Sequence, residues 1–361
     1  MSGTISSGGY PALGQLVSGL DQINKSFDTL TAQASSGLIS NTYAGLGGTA
    51  PVALSLAPQI DNLTVSQSNI SAASGPAQVT QTAMTQIQSI ASNLLSEMPD
   101  LDGLNPTEVD TVAASARSDL ATVADLLDSQ YDGVYVFAGQ DASNPPVPNP
   151  DQITSSGFFT QIAAAVANLT TAGAPATAAA TLAIASSTTA GTSPFSATYL
   201  AQPTAELTPP LVSTEAGQSQ PLGLLANTNI GPVSTGTSTT GSYMLDLMRA
   251  LATVGNLTSG QVNDPSFAPM VADTQTSVTG LISSMSNDVG ILGEQQASLT
   301  ALSTTLSDTS TALTGQLSTA QDVDMAATLS NLTLTQTQLQ ESYQLIAAAS
   351  GMSLAKFLPV S

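Results

Sequence analysis

The 361-residue sequence contains no cysteine, no histidine and no tryptophan. Without cysteine there is neither a disulfide nor a thiolate metal site. Without histidine the commonest general base and metal ligand are missing, so the many serines have no imidazole to activate them. Cations are nearly missing too: 4 Lys+Arg stand against 25 Asp+Glu, a formal charge of −21. Lys25, Arg117, Arg249 and Lys356 cannot form a basic patch, which argues against nucleic acid and anionic membrane as partners. No run of about 18 apolar residues occurs, so no membrane insertion is expected. Met1 to Pro11 lacks the basic start and apolar stretch of a cleaved secretory signal. No catalytic residue, no cofactor and no metal ligand is predicted.

Charged residues of both signs make up 8 % of the chain, against roughly 25 % in an ordinary soluble domain. Ser, Thr, Asn, Gln and Ala must cover the surface instead. Such a surface has few long charged side chains to desolvate or order on contact, and it suits close packing against copies of itself.

Apolar residues gather in heptad stripes at both ends. Leu13, Leu16, Leu20, Ile23, Phe27, Leu30 and Ala34 alternate steps of three and four. Met325, Leu329, Leu332, Leu339, Tyr343 and Ile346 do the same, with Gln336 in one slot. A 3.5-residue period keeps one stripe of a helix facing a partner, and neither stripe can stand alone in water. The two ends are therefore expected to pair, and these residues, with Leu354, Phe357 and Leu358 of the apolar tail, are the candidate assembly interface.

Between the ends, the patterns predict a first helix over 12–36 closed by Gly37, and a second from Pro51 to about Met98, kinked or broken at Gly75-Pro76. A third runs to about Tyr131 and opens on a capping box of Thr107 and Asp110. Asp132 to Gly139 reads as a turn and a strand. Pro-rich residues 144–150 mark a boundary. Beyond them, 158–169 reads as helix, 176–185 as helix or strand and 195–200 as strand. A hairpin is expected from 211–214 and 222–225, then a helix over 243–254. One pattern of about 40 residues follows Pro269 and is interrupted at 321–324, and the closing helix ends at Ala349. The fold expected is mainly α with a β-containing insertion. It is a long helical rod with both termini paired in a coiled coil (1–40 and 322–361), a helical rod domain (41–145 and 241–321) and an outer α+β surface domain (146–240).

Two acidic clusters admit a sharper reading. Asp100, Asp102 and Glu108 have the short spacing of a calcium loop but not its ligand ladder, so a helix–helix turn is preferred. Asp322 and Asp324 resemble a catalytic acid pair, yet they sit where a helix starts and negative charge is favourable. Chance explains most of the Asn-x-Ser/Thr matches in so hydroxyl-rich a chain, and Gly45-Leu46-Gly47-Gly48 lacks the lysine of a phosphate loop.

Asp322-Val323-Asp324-Met325-Ala326, with Leu329, Leu332, Gln336, Leu339-Gln340, Ser353-Leu354 and Phe357-Leu358, resembles the closing helix of the flagellin superfamily. Asp288-Val289-Gly290 and Ser35-Ser36-Gly37 also match family positions. The acidic pair usual after the first helix is absent from Ser40 to Ala44. Gly133 to Gly139 followed by Pro145-Pro146 is similar to the hook–filament junction branch (hook-associated protein 3, FlgL-type). The resemblance covers about 10–146 and 240–358. It implies a structural, extracellular axial component of the bacterial flagellum, exported without a cleaved signal peptide. The implied partners are copies of itself in a tubular homo-oligomer, neighbouring axial proteins, and the export apparatus with an export chaperone. The alternatives are a divergent filament flagellin and, from another class, a secreted acidic adhesin; a hydrolase is disfavoured by the missing histidine.

Overall fold

The computed structural model describes residues 11–101, 105–140, 142–203, 208–209, 211–215, 218–231 and 239–351. The chain is mainly α with small strands in its middle region. It divides into two units, one from the two ends (through Thr64 and from Ser307), the other from Val65 to Leu306.

In the unit built from the ends, α1 (Pro11–Ser36) and α10 (Met325–Gly351) pack along each other. Both lack a charged first turn. α1 ends at Gly37, whose φ of 74° lies in the left-handed region open to glycine. The Gly37 N–H closes on the Gln33 carbonyl at 2.8 Å. The chain then clasps the return strand. Ile39 N donates to Gln321 O at 2.7 Å, and Val323 N donates to Gly37 O at 2.9 Å. Thr49 Oγ1 adds a bond to Ala320 O at 2.8 Å. Asp324 accepts from the backbone N–H groups of Ala326 and Ala327 at 2.9 and 3.1 Å, satisfying donors that a helix start leaves orphaned. Asp324 thus serves the helix start, whereas Asp322 accepts from Ser318 Oγ on the preceding helix. The stretch after Ile39, expected as a loop or hairpin, forms a 3-10 segment over Tyr43–Thr49.

In the other unit one apolar core joins α3 (Pro106–Leu127), α4 (Gly157–Ala167), α6 (Ala174–Ala185) and α8 (Tyr243–Gly255), with residues of α2 (Ala50–Glu97) and α9 (Phe267–Gln321). Two four-residue helices, α5 (Leu169–Ala172) and α7 (Ala197–Leu200), lie in the same middle region. α8 is buried nearly all round, as a helix at the centre of a core must be. β1 (Gln130–Tyr131) and β2 (Val134–Tyr135) form a two-residue hairpin. Asp132 and Gly133 both have positive φ, 52° and 79°, the backbone of a type I′ turn. The expected strand is therefore shorter than read, and Phe137 leaves it to enter the core.

Four expectations are corrected here. α2 runs unbroken through Gly75-Pro76. Ala77, Thr80, Ala83 and Met84 are buried on the following turns, and that packing outweighs the one hydrogen bond proline cannot make. Gly75 has a different use: a Cβ there would lie 2.2 Å from the Tyr131 ring, so its bareness seats the hairpin. Thr107 is not an N-cap. α3 starts at Pro106, Asn105 Nδ2 donates to Glu108 at 2.8 Å, and Asp110 accepts from Ser259 N and Oγ at 2.9 and 2.7 Å.

Residues 195–200 hold the short helix α7, not a strand. Ser196 Oγ caps it by accepting from Tyr199 N at 3.2 Å, and Phe195 and Tyr199, both buried, pack 5.3 Å apart between ring centroids. The cap and the i,i+4 aromatic pair override a local strand preference. The later hairpin pairs β3 (Leu211–Glu215) with β4 (Gln218–Pro221), so its second strand comes earlier than 222–225. Leu222, Leu224 and Leu225 are buried instead, and burial rather than pairing explains their apolar character.

Candidate assembly interface

The candidate surface is the α1–α10 pair. On α1 the side chains of Leu20, Ile23, Phe27, Leu30 and Ala34 are all half-buried. Leu13 and Leu16 lie within α1, but their side chains are not among those described. No described α1 side chain is fully covered. A Leu covered to this degree keeps only the smaller part of its burial free energy in reserve, below about 1 kcal/mol.

On α10 the structure splits the predicted stripe in two. Leu332, Leu339 and Ile346 are half-buried, and they share their face with Thr328 and Thr335, 3 % and 9 % exposed. Thr328, Leu332, Thr335, Leu339, Ser342 and Ile346 thus make the covered stripe, with the same alternating steps of three and four. Met325, Leu329 and Tyr343 are 39 %, 49 % and 52 % exposed. At 100° per residue they lie with Gln336 on a flank rotated by roughly 80° from the covered stripe. Leu334 and Leu345, on the other side, are exposed too. Leu354, Phe357 and Leu358 lie outside the described residues. α10 therefore carries more apolar surface than one partner helix covers. The two threonines were missed because they are polar, although they stand seven residues apart in the register of Leu332 and Leu339.

Several hydroxyls of the two helices are bonded within their own helix. Ser26, Thr29 and Thr31 donate to the carbonyls of Gln22, Lys25 and Phe27 at 3.0, 2.8 and 2.7 Å. Thr333 and Thr337 donate to Leu329 and Thr333 at 2.9 and 3.0 Å. A hydroxyl whose proton is bound within its own helix loses less on dehydration than a free one.

In the other unit buried polar groups hold the fold. Asp288, fully buried, accepts from Ile230 N and Gly231 N at 2.7 Å each. It also bonds the Tyr243 hydroxyl, whose pKa is raised well above its ordinary value by burial and then by the charge of Asp288. Arg249 is buried and donates to Ser277 Oγ at 2.9 Å. Burial pulls its guanidinium below the ordinary value while Asp246 and Asp273 push it back up. Among the described residues no three acids converge to hold a metal ion, and no helix is long and apolar enough to cross a membrane.

No curated protein matches the chain in sequence. A solved structure described as a flagellar hook-associated protein from Vibrio parahaemolyticus has the same fold at a TM-score of 0.51 and 11 % identity. The match covers 77 % of this chain and 98 % of that one. Residues 12–142 match the bacterial flagellin N-terminal helical region, and residues 276–358 match the bacterial flagellin C-terminal helical region. Both matched regions include one helix of the half-covered pair, and together they span more than half of the sequence: the chain belongs to the bacterial flagellin family, whose members are structural proteins of the flagellum and not enzymes.

Proposed function

We propose that this chain is a hook–filament junction subunit of the flagellum, which assembles into a short tubular ring through its terminal helices. The observation that carries the self-assembly is the half-covered α1–α10 seam, with Met325, Leu329 and Tyr343 left on an open flank. Copies packed side by side would cover that flank, and each Leu or Met so buried contributes about 1–2 kcal/mol in every subunit. The junction assignment is supported by Gly133 to Gly139 with Pro145-Pro146, and by a fold shared with a hook-associated protein. In this reading the interface residues are Leu13, Leu16, Leu20, Ile23, Phe27 and Leu30 on α1. Their counterparts on α10 and its tail are Met325, Leu329, Leu332, Leu339, Tyr343, Ile346, Leu354, Phe357 and Leu358. Residues 146–240 form the outward surface even though Phe158, Ile162 and Tyr199 root them in the core shared with α3 and α8. The partners are copies of itself, the adjoining axial proteins, and the export apparatus with its chaperone, and the site of action is outside the cell.

The test is electron microscopy of flagella from a strain lacking the gene, rescued with tagged protein. A junction subunit restores the filament and labels one band next to the hook. Label along the whole filament would make the chain a filament flagellin, and intact unlabelled filaments would remove it from the axial structure.

A further inference from the structure

Where the base of the β3–β4 hairpin meets α9 there is a cavity of about 210 Å³. Pro209, Pro221, Gly223, Leu225 and Ile230 line it, with Gln295 of α9. The local sequence makes it. Pro221 closes β4 opposite Leu211, and proline has no N–H to carry the pairing further. Gly223 follows with a φ of 104°, a backbone that favours glycine. It also leaves that wall bare, since a Cβ there would meet no atom within 4 Å. The chain then buries Leu224 and Leu225. Asp288 holds the end of this segment on α9 by accepting from Ile230 N and Gly231 N at 2.7 Å each. Gln295 lies seven residues further along α9, two helical turns, and so on the same face.

Most polar groups at the cavity are already engaged. Thr228 Oγ1 donates to Asn227 Oδ1 at 3.0 Å. Asn229 donates to the Gly241 carbonyl and accepts from Tyr243 N, both at 3.2 Å. Gln295 Oε1 is different: it is buried and has no hydrogen-bond partner among the described residues. A buried polar atom left in that state costs free energy that a partner would return. The walls around it are apolar, and Ile230 is still 38 % exposed, so a ligand that covers it gains by burial as well.

Charge narrows the choice of ligand. The Asp288 carboxylate stands behind Ile230 and Gly231, and the chain carries a formal charge of −21, so an anion is repelled. A cation would need more than one acceptor to replace its water. A neutral apolar molecule with one hydroxyl meets both conditions. The Gln295 amide can turn over and present its NH2 in place of its oxygen, and a hydroxyl serves either, donating to the one or accepting from the other. The volume admits one six-membered ring, since an apolar cavity of about 150 Å³ holds benzene. A phenolic hydroxyl is a stronger donor than an aliphatic one, and with a pKa near 10 it stays neutral at pH 7. We infer that this cavity is a binding site for a small neutral phenol, with the ring against the prolines, Leu225 and Ile230 and the hydroxyl on the Gln295 amide. The site lies away from the terminal helices and does not depend on the self-assembly reading.

The probe is p-cresol, with toluene as the same shape without the hydroxyl. Binding to the purified full chain at pH 7 is followed by isothermal titration calorimetry and by NMR of labelled Leu and Ile methyl groups. p-Cresol should bind with a Kd below about 1 mM and shift the Leu225 and Ile230 methyls. It should bind roughly tenfold tighter than toluene. Gln295→Leu removes the amide at similar volume, so the preference should vanish while toluene still binds. Ile230→Trp fills the cavity from its exposed edge and should block both probes. Circular dichroism checks that each variant keeps its helix content.

Failure of p-cresol to bind would overturn the inference. Equal binding of the two probes would overturn it as well, leaving an apolar void with no use for the amide. p-Cresol binding that is unchanged by Gln295→Leu, or that shifts methyls elsewhere, would place the phenol at another position and overturn the assignment. If a variant loses helix content, the toluene comparison and the methyl shifts in the natural chain decide the matter alone.

Discussion

The α1–α10 pair and the α3–α4–α8 core are both built from apolar residues at helical spacing, yet they end in different states. In the core, Leu120, Leu127, Phe158, Ile162, Leu247 and Leu251 are fully buried. In the terminal pair, every described α1 seam residue is half-buried and a whole flank of α10 is open. The difference is one of neighbours. α8 is enclosed by α3, α4 and α6 within one copy, whereas two helices lying along each other cover only one face of each. Closure within the copy makes a core, and a seam left partly open is the surface that the self-assembly proposed above would use.

The largest effect that would sharpen this contrast is loss of assembly. Leu332→Ala with Leu339→Ala removes two half-buried leucines from every subunit. The single chain should stay folded, with circular dichroism close to the natural protein, while incorporation into the flagellum is abolished. If the double variant assembles normally, the seam is not an interface; if its monomer unfolds, the leucines are ordinary core.

Next in size is Leu251→Ala in α8. The side chain is fully enclosed, so truncation should cost about 2–5 kcal/mol with a cavity left behind. Urea unfolding should show it, against a smaller loss for Leu332→Ala alone. Equal losses at the two sites would break the comparison.

Smaller but more widespread is local opening. In the monomer, amides of α1 and α10 should exchange with deuterium well before those of α3 and α8, since opening free energy follows the apolar contacts that must be broken. Equal protection of both regions would mean that the pair is as well closed as the core.

The smallest expected effect is on pH. Burial raises Asp128 to about 6, partly offset by the Val147 N–H it accepts at 2.9 Å, with Asp125 adding to the rise. Glu97 and Asp119 are raised too, chiefly by burial. Because the folded pKa of Asp128 lies above the ordinary 3.8, the folded chain holds more protons than the unfolded one between that value and about 6. Stability is therefore greatest at the acid end of the window and falls as pH rises through it. Partial exposure screens the effect to on the order of 1 kcal/mol. Thermal melts between pH 4 and 7 should show the decline, and Asp128→Asn should flatten it. A stability that climbs with pH would overturn the assignment.

Much of the fold was legible where local chemistry and tertiary packing agree. Gly37 closes α1 because only a residue without a Cβ takes its φ easily, and Asp324 marks the start of α10 because its carboxylate accepts the first N–H groups of that helix. It was illegible where packing overrules local preference. Pro76 sits inside a continuous helix because buried neighbours hold the turns after it. Residues 195–200, aromatic and β-prone, coil into α7 because Ser196 caps them and their two rings meet. In the candidate interface, Leu332, Leu339 and Ile346 were found by spacing, but the covered stripe also holds Thr328 and Thr335, which hydropathy alone does not select.

The sequence by itself determined the charge, the lack of any imidazole or thiol chemistry, the helical period of both ends and the family to which those ends belong. These follow from composition and from the geometry of 3.6 residues per turn, which need no partner to be read. Only the tertiary structure decided which side of α10 is covered and which is left open, and that Asp288 spends its carboxylate on the backbone of Ile230 and Gly231. Those outcomes depend on what lies opposite each side chain. A periodic stripe specifies that a face must be buried, but the neighbour that buries it is set by residues hundreds of positions away.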